Sequence, residues 1–240
     1  MARSFRGLSC SAMAGETVKC EAICLRIAPW SRTSHIVAWL TPHGIVHTSV
    51  KGAVRPKSAF LGQYDLNYTC EIVYYARAKG EIRSLRECSP LEMRDFLRLD
   101  HRLFALSDYF RAAVCDIAPA GSEAEEWFGL LGGALDSLGD ASPSCGMVAF
   151  RLARLVDFEA KTLELAGLMP ELGSDGASFS LRGERAIPVT SEIARCLRNP
   201  KGEKNIQILL DTARAIGVFY TFHLDNALET RRMVVKIICN

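Results

Sequence analysis

Five short strand-like segments lie within residues 18–88 of this 240-residue chain, and they constrain its fold more than any other feature. They are rich in β-branched and aromatic residues and are separated by turn residues. The fourth segment is the clearest, because its apolar residues alternate with more polar ones, as in a strand with one buried face. Five strands in about 70 residues is the number found in an OB-type barrel. The segments are Val18–Ile27, Ser34–Thr41, Ile45–Val50, Leu66–Ala76 and Glu81–Cys88.

From Ser89 onward the hydrophobic period becomes helical. Ser89 and Pro90, followed by Glu92, form a pattern typical of a helix N-terminus, so we predict that the first helix begins there. An apolar stripe at helical spacing follows from Leu103 to Ile117. Further helices are predicted at Glu123–Leu138, from Ser142 to about Gly167, at Thr190–Leu197 and at Ile206–Tyr220.

These patterns predict an α+β protein. An N-terminal five-stranded OB-fold barrel at residues 17–88 is followed by an all-helical C-terminal domain at residues 89–240. The helical domain carries a short irregular insertion at about residues 170–188, where a Gly/Ser-rich stretch has room for a hairpin. Residues 1–16 are predicted to be a flexible extension.

The charge is distributed unevenly along the chain. The net charge of +2 divides into +6 over residues 1–90 and −4 over residues 91–240, so a polyanion contact is expected in the first part. No apolar run approaches the roughly 18 residues of a membrane span. No apolar segment follows the positive N-terminus either, so we predict no signal peptide and a cytoplasmic protein.

A basic loop follows the third strand-like segment. The stretch Val50–Ser58 holds three cations together with Gly52 and Pro56, so it offers mobile positive charge at the rim of a sheet. Such a loop suits nucleic acid. A solvated surface loop of no particular function is the competing interpretation, and the spacing alone does not separate the two.

Cations and aromatic side chains are interleaved through the strand region. OB barrels bind single strands by stacking bases on aromatics while cations follow the backbone. Trp30, Phe60 and Tyr64 lie close to cations in sequence, whereas Tyr68 and Tyr74 fall on the apolar face and are expected to fill the barrel. The predicted DNA-binding residues are Arg32, Lys51, Arg55, Lys57, Arg77, Lys79, Arg83 and Tyr75.

The sequence gives little sign of catalysis or of a metal centre. Its nine cysteines are scattered without a CxxC pair, and we expect Cys20 and Cys24 to be small buried apolar residues. No phosphate-binding loop, nucleophile elbow or zinc-protease motif is present. We therefore predict a protein that is not an enzyme, with a hydrolase built from ungrouped residues as a minor hypothesis.

Several stretches resemble the RecO recombination-mediator proteins of bacteria. The opening of that family is matched by Glu21–Arg26, Trp30–Val37, Leu40, Thr41 and Gly44. The basic loop Lys51–Ser58, then Gly62–Tyr64 and Gly80–Leu85, continue the resemblance. Weaker matches follow at Phe158, Glu159, Leu163, Gly167 and Leu168, and again at His223, Leu224, Leu228 and Arg231.

The resemblance implies an N-terminal OB domain, a helical C-terminal domain and no catalysis. It implies binding of single- and double-stranded DNA, annealing of complementary strands and a location at the nucleoid. It also implies that the protein helps to load a recombinase on strands coated by single-stranded-DNA-binding protein, together with RecR. A protein-interaction scaffold that contains an OB fold and binds little DNA is the alternative.

Two features of the family are altered in this chain. Many relatives carry a four-cysteine zinc module in the insertion, but Leu172–Phe179 has no cysteine, so no zinc and no other cofactor are expected. Some relatives place arginines just before the position of Phe158, in a helical groove that receives the acidic, Phe-ended tail of single-stranded-DNA-binding protein. Here Arg151 and Arg154 lie one turn earlier, and with Phe158 they are the predicted partner-binding residues.

Overall fold

A closed five-stranded barrel forms the N-terminal part of the structure, a computed structural model that describes residues 16–76, 80–118, 123–140, 146–175, 178–182, 186–223 and 227–240. The strand order around the barrel is β1-β2-β3-β5-β4. β3 and β5 are parallel and every other neighbouring pair is antiparallel. The predicted OB-type barrel is therefore confirmed. Its strands are β1 (Thr17–Ser31), β2 (Ser34–Thr41), β3 (Gly44–Val50), β4 (Thr69–Tyr75) and β5 (Ile82–Glu92).

The barrel interior is filled by the alternating residues that the sequence predicted to be buried. Tyr68 and Tyr74 are buried there together with Cys24, while Cys20 is half-buried at the margin. Trp39 lies fully inside, and its indole Nε1 donates a hydrogen bond to the hydroxyl of Thr48 at 2.8 Å. Aromatic side chains therefore fill the interior of the small barrel, and the polar atom of Trp39 has a hydrogen-bond partner there.

The prediction that a helix begins at Ser89 is wrong, because β5 continues to Glu92. Ser89 pairs with Glu71 of β4, and Pro90 pairs with Cys70 next to a register shift. β3 pairs only with the first residues of β5, from Ile82 to Ser84, so one edge of β5 is unpaired at Pro90. A proline at this position therefore costs no hydrogen bond between strands.

Six helices lie in the described part of the chain: α1 (His101–Ile117), α2 (Ala124–Ser137), α3 (Met147–Leu165), α4 (Ser191–Arg198), α5 (Ile206–His223) and α6 (Ala227–Cys239). A 3₁₀ turn at Asp95–Arg98 precedes α1, which begins where the Asp100 carboxylate accepts from the backbone N–H of Arg102. Across the described ranges, none of the helices has the length and apolarity needed to cross a membrane. No pattern in the sequence predicted α6.

The insertion is more regular than predicted. Strands β6 (Glu171–Asp175), β7 (Ser178–Arg182) and β8 (Ala186–Val189) form an antiparallel three-stranded sheet in that order. Leu172, Ile187 and Val189 pack against the core formed by α3 and α5. The sheet therefore covers one side of the helical part.

The barrel and the helices share one hydrophobic core. Ile23 and Leu25 of β1 and Leu40 of β2 are fully buried in the cluster that also contains Leu106 and Trp127 of the helices. β1 is consequently buried on both faces over Ala22, Ile23, Cys24 and Leu25, which explains its unbroken apolar run.

A buried arginine joins the two parts at this core. Arg94 donates from Nη1 to the carbonyl of Asn67 at 2.7 Å and to the hydroxyl of Thr69 at 3.0 Å. Its Nε lies 2.7 Å from the carboxylate of Asp136 in α2. The side chain of Asn67 in turn donates to Ser107 of α1 at 3.1 Å. The barrel is thus tied to both helices by groups that would otherwise be buried without partners.

A buried ion pair organises the helical part. Glu159 of α3 is inaccessible to solvent, and Arg231 of α6 binds its two carboxylate oxygens at 2.6 and 2.8 Å. The hydroxyl of Tyr109 in α1 donates to the same carboxylate at 2.7 Å. Burial opposes the charge of Arg231, but the Glu159 carboxylate raises the pKa of this guanidinium above its usual value. A Cβ on Gly217 would lie 2.4 Å from the guanidinium, so α5 requires glycine at that position.

We predict that Arg231→Met destabilises the protein by about 3–5 kcal/mol, because it leaves the Glu159 carboxylate buried without its cation. Urea unfolding followed by circular dichroism measures this free energy. The control is Lys161→Met, which removes an exposed ion pair with Asp157 and should cost less than about 1 kcal/mol. Equal small losses in the two variants would contradict the role assigned to the buried pair.

Candidate nucleic-acid interface

An open cleft lies at the rim of the barrel, where the β1–β2 hairpin faces the residues that follow β3. Its volume is about 620 Å³. Its lining combines exposed side chains with serine and threonine hydroxyls. The cleft is lined by Trp30, Ser31, Thr33, Ser34, Ser49, Lys51, Gly52 and Arg55.

One wall is the tip of the β1–β2 hairpin. Pro29 pairs with His35 and Ser31 pairs with Ser34, so Trp30 is an extra residue in a register shift. A bulge of this kind turns a side chain away from the regular alternation of the strand. The indole of Trp30 is 69% exposed as a result.

The other wall is the basic loop, which is fixed against the hairpin. The backbone N–H of Gly52 donates to the hydroxyl of Ser34 at 3.2 Å, and that of Val54 donates to the carbonyl of Thr33 at 3.4 Å. Ala53 between them is buried in the barrel core. Lys51 on one side of this anchor is exposed and lines the cleft.

Gly52 gives the loop its shape. Its φ of +68° is in the left-handed region that favours glycine. A Cβ at this position would lie 3.2 Å from Cδ of Arg55, so the arginine stem passes directly over the glycine. The N–H of Arg55 closes the turn on the carbonyl of Gly52 at 3.1 Å, and the N–H of Ser58 continues it on the carbonyl of Arg55 at 2.9 Å.

Four of the predicted DNA-binding cations are exposed around this cleft. Lys51 and Arg55 line it, Arg32 lies in the turn of the hairpin, and Lys57 follows on the basic loop. Within the part of the chain that the structure describes, none of the four forms an ion pair. Their positive charge is therefore available to an anionic ligand.

The other predicted DNA-binding residues are placed differently. Arg83 is half-buried; its guanidinium donates to the carbonyl of Ala76 and lies 5.8 Å from the centroid of the Tyr74 ring. Tyr75 is 40% exposed but pairs with Thr17 at the start of β1, whereas the cleft lies at its end. Arg77 and Lys79 lie outside the described residues.

Trp30 was not among the predicted site residues, although its proximity to cations was visible in the sequence. Sequence alternation gave no indication of its orientation, because the bulge depends on how β1 and β2 pair. The adjacent Pro29 at a strand end was the available signal of an irregular register.

A second, smaller groove lies between α2 and α3. Its volume is about 210 Å³. Gly129 and Gly133 leave open space in it, since a Cβ on either residue would meet no atom within 4 Å. Lys161 and Lys201 lie at one side, with their Nζ atoms 3.0 and 3.3 Å from the carboxylate of Asp157. The groove is lined by Gly129, Leu130, Gly133, Ala134, Asp157, Phe158, Lys161 and Lys201.

Of the three predicted partner-binding residues, only Phe158 lines this groove, and its side chain is fully buried beneath it. Arg151 is buried, its Nε donates to the carbonyl of Ile238 at 3.0 Å, and burial lowers its pKa. The guanidinium of Arg154 lies 4.9 Å from the ring centroid of Phe150 and donates to Asp140 at 3.3 Å. Both arginines are therefore engaged within the helical part.

Buried cysteines in the barrel are not placed as metal ligands. The thiols of Cys70 and Cys88 both donate to the carbonyl of Gln63, at 3.5 and 3.6 Å. The neighbouring Cys70 thiol and burial both raise the pKa of the Cys88 thiol, which favours its protonated form. Among the described residues, no three His, Cys, Asp or Glu side chains are grouped so that they could hold a metal ion.

Comparison with known proteins relates this chain to a family model and to a curated relative. Residues 13–94 match the family model described as Recombination protein O N terminal. The DNA repair protein RecO of Moorella thermoacetica is 27% identical over 153 residues. That alignment spans 63% of this chain and 54% of the relative, or about half of its length.

We predict that Gly52→Ala destabilises the protein by about 1–2 kcal/mol, because a Cβ is unfavourable in the left-handed region and crowds Arg55. Gly129→Ala is the matched control. Its helical position has open space, so alanine should be neutral or stabilise by up to about 1 kcal/mol. Thermal unfolding of the two variants should show shifts of opposite sign; a shared sign would contradict the assigned loop conformation.

Proposed function

Residues 13–94 resemble the N-terminal domain of the RecO family, and we propose that the chain is a RecO-type, non-enzymatic DNA-repair mediator that binds DNA in the cleft at the barrel rim. One observation carries the proposal. The cleft brings the exposed and unpaired cations Lys51 and Arg55 against a hairpin wall, with room for a strand between them.

The electrostatics of the cleft suit a phosphate backbone. Each lysine or arginine that neutralises a phosphate releases condensed counterions, which favours binding at low salt. Arg32 and Lys57 extend the positive track beyond the cleft, and we propose that Arg77 and Lys79 continue it. Arg83 and Tyr75 have a minor share in the proposed binding, since the first is engaged within the barrel and the second is remote from the cleft.

The residues of the cleft support binding rather than catalysis. Its lining holds hydroxyls, one indole and two cations, but no carboxylate or imidazole that could act as a general base.

We propose that the protein binds single- and double-stranded DNA, anneals complementary strands and helps to load a recombinase, together with RecR. The name of the Moorella thermoacetica relative, a DNA repair protein, supports a role in DNA repair. No zinc or other cofactor takes part in the proposed activity.

We further propose that single-stranded-DNA-binding protein docks through its acidic, Phe-ended tail in the groove between α2 and α3. The open space beside Gly129 and Gly133 can receive an aromatic ring against Leu130 and Ala134. Lys161 and Lys201 share the carboxylate of Asp157 and offer their remaining donors to the tail. In this proposal the two lysines bind the acidic tail, the role predicted from the sequence for Arg151 and Arg154.

The double variant Lys51→Ala/Arg55→Ala should bind single-stranded DNA on the order of ten-fold more weakly at low salt. The slope of log K against log salt should decrease in magnitude by about 1.4, because two fewer phosphates are neutralised. Fluorescence anisotropy across a salt series measures both quantities. The control, Lys204→Ala/Lys236→Ala, removes the same charge from exposed positions of the helical part and should bind as the parent does. Equal salt slopes in all three proteins would favour the alternative of a scaffold with little DNA binding.

Gly133→Leu should fill the groove and weaken binding of a peptide with the acidic, Phe-ended tail sequence at least about ten-fold, since the ring loses its pocket. Titration calorimetry measures the peptide affinity, and DNA affinity should not change. Gln207→Leu, which adds an exposed leucine on α5, serves as the control. Unchanged peptide affinity in Gly133→Leu would show that the tail binds elsewhere.

A further inference from the structure

Trp30 differs from the other two tryptophans of the chain. Trp39 and Trp127 are fully buried in the barrel and in the helical core, whereas Trp30 is 69% exposed and lines the cleft. An isolated exposed apolar side chain is ordinary. Here, however, a register shift in β1 places the indole in a concave site instead of on an open surface.

The surroundings of this indole suit an unpaired nucleotide. Lys51 and Arg55 line the same cleft and offer charge to flanking phosphates, while the hydroxyls of Ser31 and Ser49 offer hydrogen bonds. The volume of about 620 Å³ is in the usual range for sites that hold a small ligand. Aromatic surface beside cations on an OB-type barrel is the arrangement that recognises single strands.

Resting on the proposed DNA-binding function, we propose that Trp30 is a base-stacking platform that makes the cleft selective for single-stranded DNA. One unpaired base stacks on the indole, and Lys51 and Arg55 hold the phosphates on either side of it. Stacking needs the π-face of the base and not its edge pattern, so the site accepts any sequence.

The same contact distinguishes single strands from duplexes. Bases in a duplex are stacked on one another, so Trp30 can reach one only after it is unstacked and unpaired. The cations, in contrast, bind phosphates of either form. A strand that pairs with its complement therefore loses the contact with Trp30, which weakens binding of the annealed product relative to the single strand.

The exposure of Trp30 provides a direct readout. Because Trp39 and Trp127 are buried, quenching of the exposed tryptophan emission reports on Trp30. The probes are oligothymidylate, a length-matched strand of abasic residues that has the same phosphates but no bases, and a duplex. We expect oligothymidylate to quench the emission and the abasic strand to bind without quenching it.

Variants separate stacking from charge. Trp30→Ala should bind oligothymidylate about ten-fold more weakly, with unchanged affinity for the abasic strand and the duplex, and Trp30→Phe should restore part of the loss. Leu99→Ala, which alters an exposed leucine outside the cleft, is the control and should have no effect. Lys51→Ala/Arg55→Ala should weaken binding of all three probes.

Two results would overturn this inference, and they are distinguishable. If Trp30→Ala binds oligothymidylate as the parent does while Lys51→Ala/Arg55→Ala loses affinity, DNA binding in the cleft stands and the stacking role fails. If the parent protein binds none of the three probes at low salt, the proposed DNA-binding function itself fails, and the inference fails with it.

Discussion

The burial of β1 on both of its faces is the constraint on which the rest of the structure depends. Ala22 and Cys24 face the barrel interior, while Ile23 and Leu25 face the helices, so one short run belongs to two cores. The helices can pack only where this apolar outer face is offered. The C-terminal end of β1 extends beyond this buried run and forms the β1–β2 hairpin that carries Trp30.

The cleft owes its form to two local departures from regular strands. The first is the bulge at Trp30, and the second is the left-handed Gly52 that lets the stem of Arg55 pass close to the backbone. Both are held by the rigid barrel through the bonds between the basic loop and the hairpin. An aromatic side chain and two cations are thus brought to one concave surface before any ligand binds, which reduces the cost of ordering them on binding.

The sequence predicted the elements that depend on local pattern. It did not predict features that depend on contacts between residues far apart in the sequence. β-branched composition, alternation and turn residues located the five barrel strands, apolar stripes located α1 and α5, and Gly, Pro and capping signals located α2, α3 and α4. The capping pattern at Ser89 was overridden because pairing with β4 extends β5 past it. α6 was not predicted because Arg231 interrupts its apolar stripe, and the carboxylate of Glu159 that pairs with this arginine is distant in sequence. The burial of Arg151 against the carbonyl of Ile238 is equally non-local.

Photocrosslinking would test most directly whether the cleft is the place where the unpaired base binds. A single strand containing 5-iodouracil would be bound, irradiated and digested with trypsin, and the crosslinked peptides would be identified by mass spectrometry. We expect the major crosslink to fall in Ile27–Arg32, the tryptic peptide that contains Trp30. Crosslinks concentrated in the helices α1 to α6, with none in that peptide, would show that the unpaired base binds elsewhere.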